Sequence, residues 1–235
     1  MIKLTNTLLA GAFAFGLGIA GVAGTATASA APADRGGPVR NQAVTAPGVA
    51  AGDLTPDEID GLVFMREEEK VARDVYLTLG DLWGAQIFTN IARSEQSHMD
   101  AVYTLLDRYD IADPAAGSAI GEFTNPDLQA LYDSLVALGS QSLQDALTVG
   151  ALIEETDIAD LIDELSAIEH ADIQGVYENL ENGSNNHLRA FTSTLERQTG
   201  VAYEPQVLDQ QTYNGIVSAS TNSAAAGQRG RMNRR

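Results

Sequence analysis

Residues 86–109 read QIFTNIARSEQSHMDAVYTLLDRY. Phe88, Ile91, Val102, Leu105 and Tyr109 fall at steps of three and four, the spacing that lays one apolar stripe along an α-helix. Two positions on that stripe are not apolar: Glu95 and His98. A charged carboxylate turned toward a core is very unfavourable unless it is paired or binds a metal. Glu95 and His98 are spaced i, i+3, so they share one helical face and can grip one ion together. The stretch predicts a helix that packs in a core and carries a polar site near its middle.

Three other segments repeat the pattern. The first runs from Thr55, an N-cap whose capping box closes on Glu58, through Pro56 to Leu79, with Gly80 read as the stop. Its stripe is Leu62, Met65, Glu69, Ala72, Tyr76 and Leu79, and Glu69 is the odd member. A segment over 141–166 carries Leu143, Leu147, Gly150, Glu154, Asp157 and Leu161. A last one, over 171–198, carries Ile173, Tyr177, Leu180, Ser184, His187, Phe191 and Thr194, with Gly200 beyond it. Asn182-Gly183 inside that segment predicts a kink, a π-bulge or a break. Between the second and third long segments, Asp113-Pro114 and residues 117–121 read as loop, and Asn125-Pro126 opens a short helix ending near Gly139. Strand signals are nearly absent. The expected fold is all-α: an up-and-down four-helix bundle with a short helix in the crossover between helices 2 and 3.

The chain has 235 residues, no cysteine, and a formal charge of −18. Without cysteine there are no disulfides, thiolate metal sites or thiol nucleophiles. The acidic balance argues against nucleic acid as a partner. Charge before residue 53 is limited to Lys3, Arg35, Arg40 and Asp34, and the last nine residues hold four arginines, so the middle carries −24. Lys3, the apolar run over 8–23 and Ala28-Ser29-Ala30 predict a cleavable signal peptide over 1–30, hence a secreted or extracytoplasmic protein with no membrane span after cleavage. No twin-arginine pair is present near the start, which points to export as an unfolded chain and metal loading outside the cytoplasm. Residues 31–52 read as a flexible linker, 53–217 as the folded domain and 218–235 as a disordered basic tail.

Each long helix places polar groups near its middle: Glu69; Glu95 with His98; Glu154 with Asp157; and His187. Gathered at one height they form four carboxylates and two imidazoles, with only seven Lys and Arg in the whole middle to offset them. Two divalent cations match the four negative charges. Oxygen-rich ligands with some imidazole suit iron or manganese, with zinc also compatible. Helix phase favours Glu69 over its neighbours Glu67 and Glu68, and Glu154 over Glu155, but these acids can trade places if the phase shifts by one. The remaining acids read mostly as a solvated face. His170, near a helix end, reads as structural; Tyr76, Tyr103 and Tyr177 read as rings that pack with the hydroxyl at a polar spot, the alternative being a hydrogen bond to a metal ligand, and Trp83 reads as packing.

Residues 69–76, E-K-V-A-R-D-V-Y, are similar to the first-helix E-x-x-A-R-x-x-Y of rubrerythrins, and Ser94-Glu95-Gln96-Ser97-His98 is similar to their second-helix E-x-x-H. More closely, residues 54–217 resemble an uncharacterised bacterial and archaeal ferritin-like family, domain of unknown function 2202, through 67–76, 94–102, 149–161 and 183–191. The resemblance implies a ferritin-like bundle with a carboxylate-bridged metal pair, and no particular substrate. It matches Glu69 to a terminal ligand, Glu95 to a bridging carboxylate, and His98 and His187 to the imidazole ligands. Glu154 matches the third-helix glutamate and Asp157 an additional carboxylate. Ser184 departs from the pattern, which has Glu three residues before the last histidine.

The function expected on these grounds is a secreted protein holding two iron ions, or manganese, and acting on ferrous iron or peroxide as a ferroxidase, peroxidase or catalase-type oxidoreductase. Partners are then metal ions and oxygen or peroxide, and a homodimer is compatible. The absence of a rubredoxin-like cysteine domain disfavours a reductase. Two alternatives use the same residues: a non-catalytic metal-sequestering protein, and a helical interaction module whose metal site has decayed.

Overall fold

The computed structural model describes residues 54–219. The expected signal peptide, the linker and nearly all of the basic tail lie outside these residues. Among the described residues there is no strand, and five helices form a helical bundle: α1 (Pro56–Trp83), α2 (Gln86–Arg108), α3 (Pro126–Gly139), α4 (Leu143–Leu165) and α5 (Ala171–Thr199). A further short helix, α6, covers 210–219. None of these helices is long and apolar enough to cross a membrane.

Local chemistry sets the boundaries. Thr55 and Glu58 form the reciprocal capping box at the start of α1. Gly80 does not end α1, which continues to Trp83 and stops at Gly84 in the left-handed conformation (φ 63°). Gly80 serves packing instead: a Cβ there would lie 3.1 Å from Phe88 Cβ. Asn125 and Ser142 cap α3 and α4 through their side chains. Helix α5 runs unbroken through Asn182-Gly183, so the expected kink or break is absent. Glycine is needed at 183 because a Cβ would meet His98 Nε2 at 2.5 Å.

Only two residues join α1 to α2, so the chain reverses direction there. Helices α1 and α4 are also antiparallel: a Cβ on Gly61 would touch Glu164, while Tyr76 reaches Glu154 and Gly150. Helices α2 and α5 pair the same way, with Phe88 against Phe191 at one end and Arg108 against Asp172 at the other. The order is therefore up, down, down, up, not strict alternation, because residues 109–125 and α3 carry the chain back along the bundle. That crossover is pinned to α1. Arg66 grips Asp113 at 3.0 Å, Lys70 donates to the Ala119 carbonyl at 2.8 Å, and Asp74 accepts from the Gly121 N–H at 2.9 Å.

The apolar core falls into two clusters. One gathers Tyr76, Phe88, Leu147 and Phe191, and the other Leu62, Val102, Leu105, Leu161 and Tyr177. The polar residues of the four long helices lie between them in chain position, which sets the site at mid-height.

Candidate metal centre

Glu67, Glu68 and Glu69 are consecutive and all buried, yet they go three ways. Glu67 accepts the backbone N–H groups of Thr124 and Asn125, fastening the start of α3. Glu68 faces a small cavity that Asp157 also lines. Glu69 meets α2, where its Oε2 lies 3.2 Å from His98 Nδ1. The pair Glu154 and Glu155 divides in the same manner. Glu154 turns inward, whereas Glu155 accepts from Tyr203 OH and from the backbone N–H groups of Gln206, Val207 and Leu208. Glu69 and Glu154, the acids that helix phase favours, are the ones that meet the imidazoles, but the acids left for a solvated face are buried at Glu67, Glu68, Asp74 and Glu155.

Glu95 is the centre of the arrangement. Its Oε2 lies 2.9 Å from His98 Nδ1, and its Oε1 lies 2.7 Å from His187 Nδ1. His187 Nδ1 is also 3.3 Å from Glu154 Oε2. Two triads result, Glu69–Glu95–His98 and Glu95–Glu154–His187, and within each the ligand atoms lie within 4.8 Å of one another. The two imidazoles stack with centroids 5.6 Å apart. Five of the six expected ligands are brought together. The sixth, Asp157, sits beside the triads and belongs to neither: Ser184 Oγ donates to its Oδ2. The departure at Ser184 is thereby explained locally, since a hydroxyl fills the place of a carboxylate and binds the neighbouring acid.

Two supporting contacts complete the site. Tyr76 OH donates to Glu154 Oε1 at 2.6 Å, so its role exceeds ring packing. Ser94 Oγ lies 2.9 Å from His187 Nε2. An ion on Nδ1 would leave the proton on Nε2, which then donates to that hydroxyl and fixes the tautomer. Ser94 was not singled out from the sequence. Its only signal is that it stands one turn from His98, on the same face of α2.

Burial alone pushes the Glu95 carboxyl upward, but the two imidazoles beside it, His187 and His98, reverse this and hold it down at about 2. Burial lowers both histidines, and the facing carboxylates overcome it, raising His98 to about 11 through Glu69 and His187 to about 10 through Glu154. Burial and Asp157 raise Glu69, and burial raises Glu154. Burial and the Glu154 charge lift Asp157 to about 7.

The residues fit a metal pair. Glu95 Oε1 and His187 Nδ1 are close but do not meet hydrogen-bond geometry, and both, with Glu69 Oε1 and Asp157 Oδ1, are buried without a hydrogen-bond partner. Ligand atoms that converge without aiming at one another suit ions placed among them, and the oxygen and imidazole set suits iron, manganese or zinc. His170 is structural as expected, but it sits at the N-terminus of α5, where the helix dipole would oppose a cation. It is held there by Glu58, 2.8 Å away.

Comparison with known proteins agrees with this architecture at the level of family. An uncharacterised protein of Methanocaldococcus jannaschii is 51% identical over 168 residues, spanning 72% of this chain and 90% of the relative. The crystal structure of a hypothetical protein from Methanococcus jannaschii superposes with a TM-score of 0.69 at 51% identity, covering 71% of this chain and 94% of that one. The uncharacterised protein domain DUF2202 matches residues 58–220, and the chain belongs to that family.

Proposed function

We propose that the chain folds as a ferritin-like four-helix bundle and works outside the cytoplasm as a di-metal oxidoreductase on ferrous iron or peroxide. The observation that carries this reading is the sharing of Glu95 by two triads. Glu69 and His98 would hold one ion, Glu154 and His187 the other, and Glu95 both. The up, down, down, up helix order supports the ferritin-like assignment. Iron fits the ligand set, and manganese fits it as well. Bound there, the pair supplies redox chemistry between the +2 and +3 states. The chain's own contribution is positioning. Tyr76 orients Glu154, Ser94 orients His187, and the two apolar clusters exclude water from both ends of the site.

Metal sequestration without turnover is the second reading. It is favoured by the Ser184–Asp157 contact, which leaves the second triad without the extra fourth-helix carboxylate that the resemblance leads one to expect.

The test is metal content by mass spectrometry on protein starting at residue 31, after anaerobic loading with iron and separately with manganese. At least two ions per chain, both lost in Glu95→Ala/His98→Ala with helicity intact, are expected. Ferrous oxidation and peroxide consumption are then measured on the loaded protein. Turnover that survives the double substitution would remove the oxidoreductase reading; tight binding with no turnover would leave sequestration. Folded protein that takes up no ion would remove both.

A further inference from the structure

Three of the four seams around the triads are closed. Across α1 and α2, Arg66 donates to the Met99 carbonyl at 2.8 Å and Arg73 to Gln96 at 2.6 Å. Helix α3 lies over α1 and α4, where its Leu131 and Leu135 close on Val71, Ala72 and Ile153. Between α4 and α5, Ser184 binds Asp157, and Glu155 holds residues 203–208 against α4. The two apolar clusters shut both ends.

The seam of α2 and α5 differs. The side chains of His98 and His187 are 12% and 11% exposed, whereas those of Glu69, Glu95 and Glu154 are at most 2%. The imidazoles are therefore where the triads meet solvent. Ser94 stands at the outer nitrogen of His187. The outer nitrogen of His98 faces Gly183, which has no side chain to cover it. A groove of about 510 Å³ follows the same seam, from the Arg108–Asp172 pair to Ala101 and Asn179. Ala101 and Asn179 are one helical turn from His98 and Gly183 respectively. Thr104 and Val176 also line the groove, and its charged residues, Arg108 and Asp172, pair with each other at 2.6 Å. A hydrated cation entering there sheds water and meets no free carboxylate in exchange, which is costly. A small uncharged molecule has little hydration to lose, and Thr104 and Asn179 offer it hydroxyl and amide groups.

We propose that the groove between α2 and α5 is the entrance to the metal pair, opening at His98 and Gly183, and that it admits a small uncharged molecule, hydrogen peroxide, in preference to ferrous iron. The inference rests on the metal-pair reading and narrows its substrate. Used in twos, peroxide balances without an outside reductant. One molecule gives up two electrons and two protons to become dioxygen, and these cleave the O–O bond of the other into two waters.

The chain has no cysteine, so a single introduced one can be labelled cleanly. Asn179→Cys at the groove and Ser134→Cys, exposed on α3, are loaded with ferrous iron and then coupled to a bulky maleimide. Nitric oxide is the uncharged probe, and its binding to the iron is read by absorbance. The label at 179 is expected to slow nitric oxide association and peroxide consumption alike by about tenfold or more, and the label at 134 to change neither. Ala101→Asp, which puts a carboxylate in the groove, is expected to speed oxidation of added ferrous iron relative to peroxide consumption. Equal nitric oxide rates in the two labelled proteins overturn the entrance and leave the pair standing, since the iron spectrum is still there. Wild type that oxidises added ferrous iron faster than it consumes peroxide overturns the preference. Should Asn179→Cys fail to fold, Ala101→Cys carries the label on the facing wall, with the same outcomes. Folded wild type that holds no iron and gives no nitric oxide spectrum is a different failure: it removes the metal pair, and the entrance with it.

Discussion

Single residues decide whether this site is preorganised. Ser94 is the sharpest case, because its hydroxyl alone faces the outer nitrogen of His187. Ser94→Ala is expected to weaken binding of the ion held by His187 by about 10–100-fold, with Ser94→Thr restoring most of it. A competition titration with a chelating dye reads this directly, and unchanged affinity would remove Ser94 from the site. Gly183→Ala is the steric counterpart. Its new methyl would fall 2.5 Å from His98 Nε2, and the ring, not the helix backbone, must give way. The expected outcome is weakened binding at Glu69–Glu95–His98 with α5 still helical. At this scale Glu69, Glu95, His98, Glu154 and His187 were legible, since each interrupts an apolar stripe. Glu67 and Glu68 were not. Helix α1 is covered by α2, α3, α4 and the crossover, so it buries almost its whole circumference over 64–72 and phase no longer separates inside from outside.

At the scale of elements, the caps were readable and the tail was not. Thr55, Pro56 and Asn125 announce their helices through side-chain chemistry that any sequence shows. Helix α6 is only ten residues long, and its packing through Tyr213, Ile216 and Val217 against the main core reveals it. Glu155 holds the preceding segment by four donors, and Glu155→Gln is expected to destabilise the fold by about 2 kcal/mol and to open residues 200–208 to limited proteolysis. A variant as resistant as wild type would show that α6 packing alone holds the segment. Glu58 joins the starts of α1 and α5, accepting from Thr55, Glu169 and His170. Burial raises its pKa, but these bonds win and lower it from 4.5 to about 2. A carboxylate depressed on folding stabilises the protein fully above its unfolded pKa, and that contribution is lost as pH falls toward 2. Urea titrations between these limits are expected to show a shallower pH slope for Glu58→Gln than for wild type.

For the whole molecule, metal held at the two triads would make stability depend on the ion. Ion at 100-fold over its dissociation constant adds about 2.7 kcal/mol per site, which for a bundle this size raises the melting temperature by about 5–10 °C. A chelator is expected to reverse the shift, and a melting point indifferent to iron and manganese would count against both triads. The all-helical class was legible from four long periodic segments. The crossover between the second and third long helices was expected as well; the contacts that pin residues 109–125 to α1 were not legible, because Arg66, Lys70 and Asp74 carry no apolar pattern. The triads also differ in where they sit along the chain. One lies entirely within the α1–α2 hairpin, with Glu69 and His98 29 residues apart, whereas Ser94 and His187 are separated by 93. Closing the shorter loop is favoured by about 1 kcal/mol of chain entropy. A chain emerging N-terminus first is expected to bring Glu69, Glu95 and His98 together before α4 and α5 fold. Pulse-labelled hydrogen exchange during refolding is expected to protect α1 and α2 before α4 and α5. In that order of assembly the second hairpin docks onto a partner whose polar surface is already set by Glu95.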